Sequence, residues 1–275
     1  MNLKHGKEKA FTLIELLVVI AIVGILSSVI YTNITGLRDR ARITAGIRFD
    51  SSTLHSIGDQ LVGEWLFDTN ASPTPDTSGS GNNGTLSATP PSWQQTGGYN
   101  SKGAYSFNGS TNYIDIGSSG SLGLTNELTL TVWVKFDNVS DATRLGNIIG
   151  NYPASANFNL EGHFLGKVRF FWSGAPDLFG TKDLRGSWHH VAVVRNATAN
   201  KTIIYIDGVF DKQDVSGVNR DIQWPLRIGG DFRGEPGLPF QGLIDNIRIY
   251  SSALSSSDIQ KLYAEEKASH EVAVK

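Results

Sequence analysis

The sequence predicts a mainly β protein: a long N-terminal helix, then a two-sheet antiparallel sandwich, then a short C-terminal helix. Three observations predict it. The stretch Phe11–Tyr31 is apolar, with Glu15 as its only charge. Beyond residue 60 the hydrophobic period changes from helical to two in a succession of short segments. Thirty glycines, with frequent Ser, Thr and Asn in a chain that is only 18% charged, supply the tight turns that short strands need.

As a helix, Phe11–Tyr31 would be about 32 Å long, enough to cross the hydrocarbon core of a bilayer. A bare carboxylate there costs at least about 2.5 kcal/mol, so Glu15 calls for an interfacial position or a positive partner. A cut between Ala10 and Phe11 would create that partner, a new amino terminus one helical turn before Glu15. A secretory signal peptide or a plain single-pass anchor also presents an apolar run. A cleaved signal, however, has a shorter core followed by a small-residue site, and no Ala-x-Ala follows Tyr31. Lys4, Lys7 and Lys9 precede the segment and Arg38, Arg40, Arg42 and Arg48 follow it, so charge alone does not orient it.

From Thr32 to about Gln60 the pattern stays helical, with two apolar sets. Ile34, Leu37 and Ala41 form one; Ile43, Ile47, Leu54, Ile57 and Leu61 form the other, on a different face. The second set is expected to pack on the chain's own globular part; the alternative is an ordinary amphipathic helix with no such change of face. Strands are expected at 61–67, 104–107, 113–116, 128–136, 167–172, 188–195, 202–206, 226–229 and 243–250, with the clearest alternation in Leu128–Phe136. No helices alternate with them, which indicates two packed antiparallel sheets. Ser255 with Asp258 forms a capping box for a helix through Tyr263, and the polar tail 264–275 is expected to fray.

Composition excludes several classes. There is no cysteine, so neither disulfides nor thiol chemistry is available. A net charge of −2, with no basic cluster beyond Arg48, argues against nucleic acid as a partner.

Two resemblances follow from particular residues. The basic leader Met1–Ala10 and the run Phe11-Thr12-Leu13-Ile14-Glu15-Leu16-Leu17-Val18-Val19-Ile20 resemble the signal of type IV prepilins and pseudopilins. That resemblance implies cleavage after Ala10 by a prepilin peptidase and N-methylation of Phe11. It also implies that Glu15 neutralises the Phe11 amine of a neighbouring subunit, and a charge matched only in the assembled bundle enforces register as well as attraction. Most members have Gly where this chain has Ala10. The phrases Val62-Gly63-Glu64-Trp65-Leu66-Phe67-Asp68, Asp76–Leu86, Ala104–Gly109, Trp188–Val194, Ile204–Gly208 and Gly242–Tyr250 resemble the laminin-G-like, concanavalin A-like jelly roll. Together the two give a leader at 1–10, a pilin helix at 11–60 with a membrane span at 11–31, a jelly roll at 61–263 and a tail at 264–275.

The loop Asp76–Gly84 is rich in oxygen ligands of the kind calcium accepts. The jelly-roll resemblance implies a calcium ion shared by the side chains of Asp76 and Asp245, with backbone oxygens near Gly81 and Asn83. Ser80 and Asn83 depart from the usual pattern. The bland alternative is a glycine-rich turn in which both carboxylates are hydrogen-bond acceptors. His189 and His190, adjacent on a strand, face opposite ways and cannot share a substrate. There is no Gly-x-Ser-x-Gly elbow, and Glu64, Glu127, Glu161 and Glu235 are scattered, so no carboxylate pair for glycoside hydrolysis is legible. Among Tyr152, Trp172, Phe179, Trp224 and Phe232, Trp224 is the candidate ligand contact, since an exposed ring can stack on a sugar face.

The expected function is therefore structural and adhesive rather than enzymatic: a pilin-like subunit displaying a glycan- or surface-binding domain. Its precursor would sit in the bacterial inner membrane, and the mature chain in an extracellular pilus. A pseudopilin contacting exported proteins in a periplasmic pseudopilus is the second reading, and an envelope-tethered glycan-active enzyme the third.

Overall fold

The computed structural model describes Leu17, Val18 and Ile20, all helical, and residues 57–273 apart from 119–121, 123, 125, 142–143, 152–157, 220–224 and 233–237. The chain divides into two compact units, Met1–Ser56 and Ile57–Lys275. Ala10, Phe11, Glu15 and most of the expected membrane-crossing helix lie outside the described residues. Among the described residues no helix is long and apolar enough to cross a membrane.

The second unit is a two-sheet sandwich. Its strands are β1 (Leu61–Trp65), β2 (Thr85–Leu86), β3 (Ser92–Gln94), β4 (Ala104–Asn108), β5 (Ile114–Ser118), β6 (Leu128–Phe136), β7 (Gly146–Gly150), β8 (Phe158–Gly162), β9 (Val168–Trp172), β10 (Leu178–Phe179), β11 (His189–Asn196), β12 (Lys201–Ile206), β13 (Val209–Asp214), β14 (Pro225–Ile228) and β15 (Gln241–Tyr250). The larger sheet runs β13-β12-β11-β6-β15-β4-β3, with β1 also on β15; the smaller runs β10-β9-β8-β7-β14-β5-β2. All these strand pairings are antiparallel. β15 is long enough to hold three neighbours: β6 on one edge, and β4 and β1 end to end on the other.

Alternation sets the core. On β6, Leu128, Leu130, Val132, Val134 and Phe136 enter the space between the sheets, where they meet Trp65, Phe107, Phe158, Phe170, Trp172 and Ile244. Each fully buried side chain of this kind contributes roughly 1.5–3 kcal/mol of transfer free energy. Burial on this scale supplies what disulfides cannot in a chain without cysteine.

The outer face of the larger sheet holds a second cluster. Ala192, Val194, Tyr205 and Tyr250 pack there with Ile57, Leu254, Ile259 and Leu262, and Leu61 lies against them. Ile57 and Leu61, the described members of the second apolar set, thus pack on the sandwich as expected. The covering element is α1 (Ser256–Ala273). Its capping box forms as read: Asp258 N donates to Ser255 Oγ at 3.2 Å, and Ser255 N to Asp258 Oδ2 at 3.1 Å.

Two expectations need correction. The helix does not stop at Tyr263 but runs on to Ala273, because Glu266 is an anchor and not a solvated charge. It lies on the same face as Ile259 and Leu262, is 7% exposed, and pairs with Arg248 and with Trp133 Nε1. The first strand ends at Trp65 and not Phe67, since Phe67 takes a left-handed φ of 56° that breaks the ladder. Strands β2, β3, β7, β8, β10 and β13 were not anticipated. β12 and β13 are joined by Asp207-Gly208 at φ 55° and 73°, the twist that a two-residue hairpin requires.

Candidate functional site

The Asp76 loop folds tightly. Thr74 and Gly84 exchange backbone hydrogen bonds of 2.7 Å that close it, and Gly79 and Gly81 adopt φ of 90° and 78°, where a Cβ would be strained. Asp76 Oδ1 accepts from the amides of Glu64 and Ser78 at 2.9 Å each, and Oδ2 from that of Asn82 at 2.8 Å. Asn83 Oδ1 accepts from Asp76 N at 2.9 Å. Burial alone would raise the Asp76 pKa, but the hydrogen bonds from Ser78, Glu64 and Asn82 outweigh it and hold the carboxyl below its usual value.

Asp245 sits on another element, at the bulge of β15. Its Oδ2 accepts from Tyr99 N at 3.0 Å and its Oδ1 from Asn246 N at 2.8 Å. Burial pushes this carboxyl up to about 8, against the lowering effect of those two donors. The structure therefore brings Asp76 together with Asn83 and the turn at Gly81, while Asp245 accepts from Tyr99 and Asn246, neither of which bonds Asp76. Among the described residues no group of three or more His, Cys, Asp or Glu is placed to hold a metal ion.

A built polar surface lies elsewhere, on the outer face of the smaller sheet. Thr85, Asp115, Arg227, Gly150, Asn159 and Phe171 stand opposite one another across β2, β5, β14, β7, β8 and β9. A second row sets Asn147, Glu161, Arg169 and Phe179 opposite one another across β7 to β10. Their strand neighbours Ile114, Leu226, Leu160, Val168 and Phe170 fill the core, so alternation turns both rows outward. Gly150 serves a close approach: a Cβ there would collide with Asn159.

Charge pairing organises these rows. Glu161, fully buried, accepts from Arg144 Nη2 at 2.7 and 2.9 Å and from Arg169, which continues to Asp177 at 2.9 Å. At the opposite end the Arg227 guanidinium lies between two rings, 3.9 Å from the Tyr113 centroid and 4.1 Å from that of Phe232. It donates to Asp115 at 2.7 Å and to the Asp231 carbonyl at 2.9 Å. Arg169 in turn stands 5.4 and 6.0 Å from the Phe171 and Phe179 ring centres, and Phe179 is 40% exposed. His163 meets Phe179 edge-on at 5.2 Å. Burial first, then the charges of Arg144 and Arg169, lower the His163 pKa, so this ring adds no positive charge at neutral pH. Phe179 is thus the exposed ring of this face. The face's carboxylates Glu161, Asp177 and Asp115 are each held by a guanidinium.

Trp172 is a core residue, not a loop ring: it is buried, donates from Nε1 to the Val218 carbonyl at 2.9 Å, and carries Arg195 over its face at 3.9 Å. Tyr152 and Trp224 lie outside the described residues. His189 and His190 do face apart. His189 Nδ1 pairs with Asp207 at 2.9 Å, while His190 is buried beside Trp133 and Tyr263 under α1. Sequence reasoning missed the Glu161 and Arg227 constellations. The available signal was the polar alternation in Phe158-Asn159-Leu160-Glu161 and Val168-Arg169-Phe170.

Comparison with known proteins agrees with this architecture. Residues 108–260 match the family model of the concanavalin A-like lectin/glucanases superfamily, and the chain belongs to that superfamily. Residues 5–31 match the prokaryotic N-terminal methylation motif, so the chain carries a pilin-type signal, which implies processing by a prepilin peptidase and assembly with other pilins. No curated protein sequence matches the chain.

Solved structures share the fold. Domain 4 of AbnA, a GH43 extracellular arabinanase from Geobacillus stearothermophilus, determined with arabinotriose, aligns with TM-score 0.56 and 21% identity over 74% of this chain and 98% of that one. The binding domain of botulinum neurotoxin serotype D aligns with TM-score 0.61 and 15% identity over 76% of this chain and 53% of that one. The binding domain of Paraclostridial Mosquitocidal Protein 1 aligns with TM-score 0.59 and 16% identity, over 75% and 52%. The chain thus spans about half the length of the toxin domains.

Proposed function

We propose that this protein is a pilin-type structural subunit that displays a glycan-binding jelly roll on a bacterial pilus, where it serves adhesion. The carrying observation is the outer face of the smaller sheet, where the buried Glu161–Arg144–Arg169 cluster adjoins exposed aromatic rings. The arabinotriose held by a similar domain supports the choice of sugar over protein as ligand. In this reading the precursor is anchored in the inner membrane, is cut between Ala10 and Phe11, and assembles with Glu15 matching the methylated Phe11 amine of the next subunit. Calcium belongs to the proposal as well, centred on the Asp76 side chain with the Gly81 and Asn83 carbonyls; Asp245 would have to release its proton to join. Trp224 remains a proposed ligand contact.

Two measurements test it. A glycan array on the detergent-solubilised full chain should show selective binding, and uniform silence across the array would remove the lectin reading. Mass spectrometry of the mature chain should find an N-methylated Phe11 terminus, and an intact Met1 would remove the pilin reading.

A further inference from the structure

We propose that Asn70 is a modification site, the acceptor of an oligosaccharide delivered from a lipid diphosphate; this rests on the pilin reading above, in which the sandwich is exported. Asn-x-Ser/Thr is the triplet that oligosaccharyltransferases read, and an exposed loop is its setting. The sequence holds the triplet seven times, at Asn33, Asn70, Asn83, Asn108, Asn138, Asn196 and Asn200. Asn33 lies outside the described residues. Structure separates the other six.

Four of them have the amide engaged. Asn83 Oδ1 accepts from Asp76 N at 2.9 Å, Asn108 Oδ1 from Ser110 N at 2.9 Å, Asn196 Oδ1 from Ala199 N at 2.7 Å and Asn200 Oδ1 from Ser216 Oγ at 3.1 Å. The hydroxyl residue of the Asn200 triplet, Thr202, is also buried on β12. Asn138 is exposed, but Val139 after it packs against the core and gives its carbonyl to Arg185 at 2.8 Å. An enzyme would have to lift that residue out. Asn70 and Ser72 are both exposed, and among the described residues neither the Asn70 amide nor the Ser72 hydroxyl has a hydrogen-bond partner. Their loop is pinned on one side by Trp93 Nε1, which donates to the Phe67 carbonyl at 2.9 Å, and by the Lys102–Asp68 pair at 2.8 Å; on the other side Thr74 closes on Gly84. Between these pins Ala71 N donates to the Thr69 carbonyl at 3.0 Å, a three-residue turn with Asn70 at its apex. Residues 69–73 belong to no strand, so a transferase reaches them without opening a sheet. The step is a substitution. Asn70 Nδ2 bonds to C1 of the first sugar, the C1–O bond breaks with its electron pair leaving on the lipid diphosphate, and the amide gives one proton to a base of the transferase.

The test is mass spectrometry of the mature chain purified from the cells that make it. No Lys or Arg lies between Arg48 and Lys102, so trypsin releases residues 49–102 as one peptide. That peptide should carry a sugar mass that fragmentation locates on Asn70. The mass should be lost in Asn70→Gln and in Ser72→Ala and kept in Ser72→Thr, with an unchanged melting temperature in all three because both side chains are exposed and unbonded. An unmodified peptide, a sugar on Asn83 or on a hydroxyl, or a sugar that survives Ser72→Ala would overturn the inference. If the chain showing that result begins at methylated Phe11, the pilin reading stands; if it begins at Met1, both fall.

Discussion

The larger sheet turns its outer face to a helix, and the smaller sheet turns its outer face to charge pairs and rings. On the first, Trp133, His190, Tyr250 and the aliphatic cluster around Leu262 are sealed beneath α1, and the carboxylate of Glu266 is engaged by Arg248 and Trp133. On the second, Glu161, Arg169 and Arg227 are paired within the sheet itself, while Phe179 remains exposed. The same jelly roll thus covers one face with a helix and leaves Phe179, Asp177 and Asp115 of the other partly open to solvent.

The contrast can be broken most forcefully at Trp133. Trp133→Ala should cost about 3–5 kcal/mol, since a fully buried indole and its bond to Glu266 are lost. Phe179→Ala on the other face should stay within about 0.5 kcal/mol, as surface changes do. Urea unfolding of the two variants checks the ratio, and comparable losses would erase the distinction between the faces.

Acid should act on the larger-sheet face. Burial first, and the Arg248 charge second, lower the His190 pKa from 6.5 to about 3, and neither ring nitrogen has a hydrogen-bond partner. In that window the unfolded chain binds a proton that the folded chain refuses. This contribution to stability is therefore whole above pH 6.5 and is lost as pH falls toward about 3, with a slope approaching ~1.4 kcal/mol per unit. His190→Phe should flatten that slope in unfolding experiments across the window; an unchanged slope would assign acid sensitivity to other groups.

Calcium offers an intermediate effect. If the Asp76 loop holds the ion, calcium at 100-fold above its Kd should add about 2.7 kcal/mol, and Asp76→Asn should abolish the gain. A thermal scan with and without chelator that shows no shift would end the calcium proposal. A smaller loss is expected of Ser255→Ala, which removes the α1 cap at about 1 kcal/mol. It should loosen only the helix-covered face, which hydrogen exchange of α1 amides would read.

Much of the fold was legible because the core strands obey local rules. Leu128–Phe136 alternates cleanly and is found as read, and Ser255 with Asp258 caps as read. What escaped was non-local. β7 carries a bulge between Asn147 and Ile149 and a glycine at each end, so its period is broken. β13 is mostly exposed at an edge and has no buried stripe to betray it. β8 buries Asn159 and Glu161, which reads as a loop until Arg144 and Arg169 are known to reach Glu161 across the sheet. For the same reason the site was harder than the fold. The Asp76 turn is written in consecutive residues, whereas the Arg227 stack joins Tyr113, Asp115 and Phe232 from distant parts of the chain.

Where the chain enters the sandwich has a mechanical consequence. Ile57 is sunk in the aliphatic cluster beneath α1, Gln60 accepts from Ser251 N at 2.9 Å, and β1 is laddered to β15. Tension transmitted through residue 57 meets buried contacts and a strand ladder before any slack is available. A domain tethered in this way resists unravelling from its point of attachment.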